Sequence, residues 1–369
     1  MPNRLLPTLT IAVLIVAGIA AAGCGSKTPA ATPPSATTSS SGSWIEEAVS
    51  FPVGGMTVYG TFRHQAGQSR PVPGALLIAG SGPTDRDGNS AVIPGSIDTL
   101  KNLAQTLSND GVASLRYDKL GTGQTGLGTY AKDPATIDMT AYQDEANAAL
   151  NFLAGQPGVD RNHLMVIGHS EGALFALQLA TAAPGNTPPV QVLGLVEPAS
   201  RRILDHVSQQ AHRQADAAVQ AGKMTAAQAA ENTAAIDKAI QEFRATGQVP
   251  PDEPAGLKPI INAANLRFLQ QDDAIDPADV AAKLPRGMPV LVTCSDGDTQ
   301  ITCDDVDHLV TGLTKAGTKT DLVRLTGVNH VLKEDSSKSP AGYTDPLPFS
   351  TQLTTALTAF VKENLTSGS

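Results

Sequence analysis

The chain has 369 residues, 41% of them apolar, enough to fill one large α/β core or two modest ones and too many for a disordered chain. Its formal net charge is -9, with 26 Lys and Arg scattered among 35 Asp and Glu, so no basic stripe marks nucleic acid as a partner. No internal repeat, CxxC pair, HExxH or GxxxxGK[ST] motif occurs, and neither metal nor cofactor chemistry is expected.

The N-terminus reads first. Arg4 precedes the apolar run TLTIAVLIVAGIAAAG, which ends in small residues before Cys24, the layout of a secretory signal peptide over residues 1–23. A retained membrane anchor is the alternative, because Leu5 to Gly23 approaches the length that spans a bilayer. The segment AAGC resembles the lipobox of bacterial lipoproteins, with Ala21 where Leu is usual, and that resemblance implies a lipidated Cys24. Residues 24–43, rich in Pro, Ser, Thr and Ala, are expected to form a flexible tether. The expectation is an extracytoplasmic protein, held to the membrane by an N-terminal lipid anchor or else secreted.

The folded part is expected over 44–369 as an α/β domain. WIEEAVSF and MTVYGTFRH flank a Gly-Gly turn and read as a strand pair; GALLIAG follows as a buried strand. GVASLRY, HLMVIG, VQVLGLV, MPVLVTC and KTDLVRLT are further apolar runs, giving about eight strands in a mostly parallel, doubly wound sheet. Helical spacing fills the gaps in SIDTLKNLAQTLSND, TAYQDEANAALNFLAGQ, EGALFALQLATAA, DVDHLVTGLTKAG and the terminal PFSTQLTTALTAFVKENL. The interval from about 200 to 285 is too long for a plain crossover and favours helix throughout. It predicts a helical cap over the sheet; a coiled-coil dimerisation arm is the alternative, against which the lack of a Leu heptad counts.

Within this frame GHSEG, residues 168–172, falls where a strand meets a helix, the setting of a nucleophile elbow with Ser170 at its tip. Gly168 and Gly172 leave room for a sharp turn, whereas an ordinary serine cap would require neither. A serine nucleophile needs a base, a group to orient the base, and donors for the oxyanion. His330 follows the last strand, at the carboxyl edge where ligands gather, and is the candidate base. His206 and His212 fall in the insertion, His308 begins a helix, and His169 projects away from its neighbour, so these four are assigned no proton transfer. Spacing leaves Asp296 and Asp298 tied for the acid, while Asp304 and Asp305 suit the start of the next helix. The backbone N–H groups of Glu171 and of Ser81, the latter in the loop GSGPTDRDGN, are the candidate oxyanion donors. Asp85, Arg86 and Asp87 are expected to brace that loop as a local ion-pair network. Cys294 and Cys303 lie close enough in sequence to bridge across one loop in an oxidising compartment.

Together these segments resemble the α/β-hydrolase superfamily, and within it bacterial carboxylesterases related to serine aminopeptidase-like and dienelactone hydrolases. The matching residues are Gly80 to Gly88, Arg116 to Gly123, Gly168 to Gly172, the segment SDGDTQI and Asn329-His330. Leu120 departs from the pattern, which has Arg there. The resemblance implies Asp298 as the acid, a helical cap, and cofactor-free cleavage of small-molecule or lipid esters with short acyl groups through an acyl-enzyme on Ser170. Thioesterase, lipase and aminopeptidase or amidase activity are alternatives on the same machinery, and a non-catalytic lipid- or partner-binding lipoprotein is the alternative outside it.

Overall fold

A computed structural model describes residues 42–366 except 69, 184 and 186. The expected signal peptide, Cys24 and the tether up to residue 41 lie outside the described residues.

Strands β1 (Trp44–Val53) and β2 (Met56–Gln65) pair antiparallel through a two-residue turn, Gly54-Gly55, with φ of 53° and 82°. A turn that needs positive φ at both positions is met most cheaply by two glycines, and its twist matches the strands it joins. Strands β3 (Val72–Ile78), β4 (Ala113–Tyr117), β5 (Val159–His169), β6 (Val192–Val196), β7 (Pro289–Ser295) and β8 (Lys319–Leu325) complete one sheet in the order β1-β2-β4-β3-β5-β6-β7-β8. From β4 to β8 every pairing is parallel; β2 joins β4 antiparallel.

Alternating side chains on the central strands feed two cores. Leu76, Ile78, Leu164 and Val166 face one layer, which is covered by α2 (Met139–Ala154), α3 (Gly172–Thr181) and α8 (Cys303–Ala316). Ala75, Leu77, Met165 and Ile167 face the other, under α1 (Thr99–Asn109) and α9 (Thr351–Asn364). Burial on both faces explains why these strands appear as unbroken apolar runs in the sequence. The doubly wound sheet of eight strands is the architecture expected from the sequence.

Between β6 and β7 lie α4 (Ile203–Gln220), α5 (Ala226–Thr246), α6 (Leu266–Asp273) and α7 (Pro277–Ala281), with no strand among them. The second of these opens on a capping box, in which Thr225 accepts from the Gln228 amide and Gln228 accepts from the Thr225 amide. Leu204, Val207, Ile236, Ile240, Phe243 and Leu269 give this unit an apolar core of its own. It is fastened to the sheet at the edge that matters for chemistry: Arg213 Nη2 donates to the Gln300 carbonyl at 2.9 Å, in the loop after β7.

Candidate active site

Parallel strands deliver their following loops to one edge of the sheet, where ligand sites of open α/β sheets form. Gly80-Ser81 follows β3, Lys119 follows β4, Ser170 follows β5, Glu197 follows β6, Asp298 follows β7 and His330 follows β8. A cleft at this edge is lined by Gly80, Ser81, Ser170, Gln300, His330 and Tyr343.

Ser170 has φ of 54°, a left-handed conformation uncommon for a side chain with a Cβ. Its amide donates to the Val196 carbonyl at 3.1 Å, and its own carbonyl accepts from Ala173 and Ala199 at 3.1 and 3.0 Å. The backbone is therefore pinned on three sides while the half-buried side chain faces the cleft. The two flanking glycines are sterically required. A Cβ at 168 would lie 2.2 Å from the Gly172 carbonyl oxygen, and one at 172 would lie 2.3 Å from that of Ile78.

The structure brings His330 and Asp298 together. His330 Nδ1 donates to Asp298 Oδ2 at 2.6 Å, with both side chains almost wholly buried. The other carboxylate oxygen, Oδ1, accepts the amides of Gln300 at 2.7 Å and Ile301 at 3.1 Å. Burial alone would push this carboxyl up, but the His330 ring and those two amides hold it below the usual carboxylate value. An ionised Asp298 on Nδ1 leaves Nε2 of His330 free to take a proton. Asp296, tied with Asp298 on spacing, is exposed and accepts the Gly327 amide at 2.7 Å instead.

His169 acquires a role the sequence did not suggest. Its Nε2 donates to the His330 backbone carbonyl at 2.8 Å, and the two rings lie 5.0 Å apart. Burial, and then the neighbouring His330, push its pKa down to about 3, so His169 stays neutral and serves as a fixed donor under the His330 loop. The other histidines lie elsewhere: buried His206 accepts the amides of Ser200 and Arg201, His212 meets Asp237, and His308 meets Asp276.

The amides of Ser81 and Glu171 donate to no acceptor among the described residues. The Glu171 side chain makes no cap bond at the start of α3 and is buried, with Oε2 3.9 Å from Lys119 Nζ. The charges of the Ser81 loop differ from the expected local network. Arg86 reaches out to Asp118 at 2.6 Å, Asp87 accepts from Arg116 at 2.6 Å, and Asp85 accepts the amides of Asp87 and Asn89. The reason is geometric: neighbours in a tight turn diverge, and β4 with the residue after it supplies charges of the opposite sign, Arg116 and Asp118. Leu120, where the esterases the sequence resembles have Arg, is buried and gives its amide to Glu145.

Cys294 and Cys303 are joined, with sulfurs 2.02 Å apart. They do not sit in one loop: Cys294 belongs to β7 and Cys303 opens α8, so the bridge spans the turn that carries Asp298.

Glu197 was missed. It is fully buried after β6 with φ of 44°, and its Oε1 accepts from Thr293 Oγ1 at 3.2 Å. Burial, and then the charge of Asp298 beside it, push its carboxyl well above the ordinary range, which favours its protonated form next to Asp298. A lone Glu after a buried strand carries no motif, and only the fold makes it a neighbour of Asp298.

No family model matches the chain. It is 27% identical over 237 residues to Esterase EstD of Thermotoga maritima, a stretch covering 64% of this chain. The chain spans about half the length of that curated relative, 49%. Among solved structures it is similar to the Pyrococcus furiosus esterase PF2001, with a TM-score of 0.51 at 13% identity, covering 87% of this chain and 91% of that one. It is also similar to Est1E of Butyrivibrio proteoclasticus, solved with ferulic acid bound, with a TM-score of 0.53 at 17% identity, covering 86% and 100%.

Proposed function

We propose that this chain, which has the α/β-hydrolase fold, is a serine hydrolase that cleaves carboxylic esters with short acyl groups. One observation carries the reading: a buried His330–Asp298 pair opens, together with a backbone-pinned Ser170, onto one cleft. Similarity to an esterase over 64% of the chain supports it.

In this mechanism Ser170 Oγ attacks the ester carbonyl carbon as its proton passes to His330 Nε2. The carbonyl oxygen becomes an oxyanion facing the amides of Ser81 and Glu171. The tetrahedral intermediate collapses, the C–O bond to the alcohol breaks, and His330 returns the proton to the leaving oxygen. Water then attacks the acyl-enzyme by the same route, releasing the carboxylic acid and restoring Ser170. Ionised Asp298 holds the imidazole in the required tautomer and offsets its transient charge.

Ile97, Val331 and Tyr343 form a compact apolar cluster at the cleft, a surface suited to a small acyl group. Hydrolysis of p-nitrophenyl esters from acetate to palmitate should give the highest kcat/KM at acetate or butyrate and a fall by octanoate. A maximum at palmitate would replace the short-chain reading with a lipase, and faster turnover of a matched thioester or anilide would replace ester with those bonds. We further propose that the enzyme works outside the cytoplasm, tethered through lipid on Cys24. The residues AAGC and the following Pro- and Ser-rich segment support this, and Cys24→Ala should move the protein from the membrane to the soluble fraction.

A further inference from the structure

Lys119 follows a buried strand and is itself 9% exposed, an unusual place for an ammonium group. Its Nζ donates to the Gly80 backbone carbonyl and lies 3.9 Å from Glu171 Oε2. Both contacts reach residues that shape the two oxyanion amides. A trans peptide is planar, with its C=O and N–H pointing in opposite directions. The Gly80 carbonyl and the Ser81 N–H belong to one such unit, so a donor fixed on that carbonyl dictates the direction of the N–H on the far side. Glu171 supplies the second amide, and its side chain anchors the same ammonium.

The lysine is itself held in place. Its carbonyl accepts from the Thr122 amide at 2.9 Å and from Thr122 Oγ1 at 2.8 Å, which closes a tight turn. The residue before it, Asp118, binds the Arg86 amide at 2.9 Å and the Arg86 guanidinium at 2.6 Å. Two consecutive residues after β4 thus grip the Ser81 loop at two points, Gly80 and Arg86. Glu145 and Asp272 also face the ammonium, and each keeps one buried carboxyl oxygen without a partner among the described residues. Burial pushes the Glu145 carboxyl up to about 8 and also raises that of Glu171, which the Lys119 charge pulls back down from 3.9 Å away.

We propose that Lys119 is a positioning residue of the oxyanion hole, aligning and polarising the Gly80–Ser81 peptide from behind while its contact with Glu171 links the two donor segments. A positive charge on the carbonyl side draws electron density from the peptide and strengthens its N–H as a donor, an effect largest where water is excluded. The inference rests on the esterase reading above. If that reading fails, wild-type protein hydrolyses no ester; if only this inference fails, wild-type is active and the Lys119 variant matches it.

Lys119→Met keeps the shape of the side chain and removes the ammonium. The variant is expected to lower kcat for p-nitrophenyl acetate roughly 10- to 100-fold with KM within about twofold, less than full removal of an oxyanion donor would cost. Inhibition by an alkylboronic acid, whose serine adduct places a tetrahedral oxygen in the hole, should weaken by the same factor. A merely structural role would change Tm without this parallel loss. A kcat within twofold of wild type, or a lowered kcat with unchanged boronic acid affinity, would overturn the proposal. If Lys119→Met does not fold, Lys119→Met with Glu171→Gln, which leaves no unpaired carboxylate at 171, is measured in the same way. Failure of both to fold would assign Lys119 to stability and overturn the positioning role.

Discussion

Ser170→Ala should lower kcat/KM for a short-chain p-nitrophenyl ester by at least roughly 10⁴-fold, to the level left by the oxyanion donors and substrate binding alone. Stability should hardly change. Every bond that pins residue 170 is made by its backbone, to Val196, Ala173 and Ala199, and Ala meets the same left-handed conformation with one heavy atom fewer. Circular dichroism and a Tm within a few degrees of wild type would establish that the fold is intact; activity above a hundredth of wild type would remove Ser170 from the chemistry.

The second large effect is at Asp298, where the hydrogen bonds dictate how a substitution would fail. In Asp298→Asn the side-chain oxygen keeps the amides of Gln300 and Ile301, which donate to Oδ1, and so the new NH2 group takes the Oδ2 position opposite His330 Nδ1. A donor there forces Nδ1 to accept, which puts the imidazole proton on Nε2, the atom that must receive the Ser170 proton. Loss of kcat should be on the order of 10³- to 10⁴-fold with KM little altered, from a tautomer change rather than a displaced loop. Asp296→Asn is the matched control. Its carboxylate is exposed and, among the described residues, holds only the Gly327 amide, so activity should stay within a few-fold of wild type. Equal losses at 296 and 298 would contradict the assignment of the acid.

The sequence made the sheet legible because its strands are buried on both faces: LLI in β3 and LMVI in β5 can be apolar at consecutive positions only when each side meets a helix layer. The Gly-Gly hairpin and the glycines around Ser170 were legible for a different reason, since each position has a backbone or steric demand that other residues meet poorly. Spacing along the chain could not separate Asp296 from Asp298. They differ by two residues but face opposite sides of a turn, one to solvent and one to His330, and only the loop geometry makes that difference.

What stayed hidden was pairing between loops. Arg86 with Asp118, Asp87 with Arg116 and Lys119 with Gly80 join segments about thirty to forty residues apart, brought side by side by the adjacency of β3 and β4 in the sheet. Glu197 and His169 were obscure for the same reason: each is an ordinary residue in the sequence, and each acts on a partner more than a hundred positions away. The neutral state of His169 follows from burial, which composition does not reveal.

The most direct test of the account is covalent. Wild-type protein treated with a fluorophosphonate at neutral pH should gain one phosphonyl group, and tryptic mass spectrometry should place it on Ser170. Asp298→Asn should label far more slowly, because the same tautomer change disarms the base. An unlabelled wild-type protein, or a label on any other residue, would contradict the assignment of Ser170 as the nucleophile.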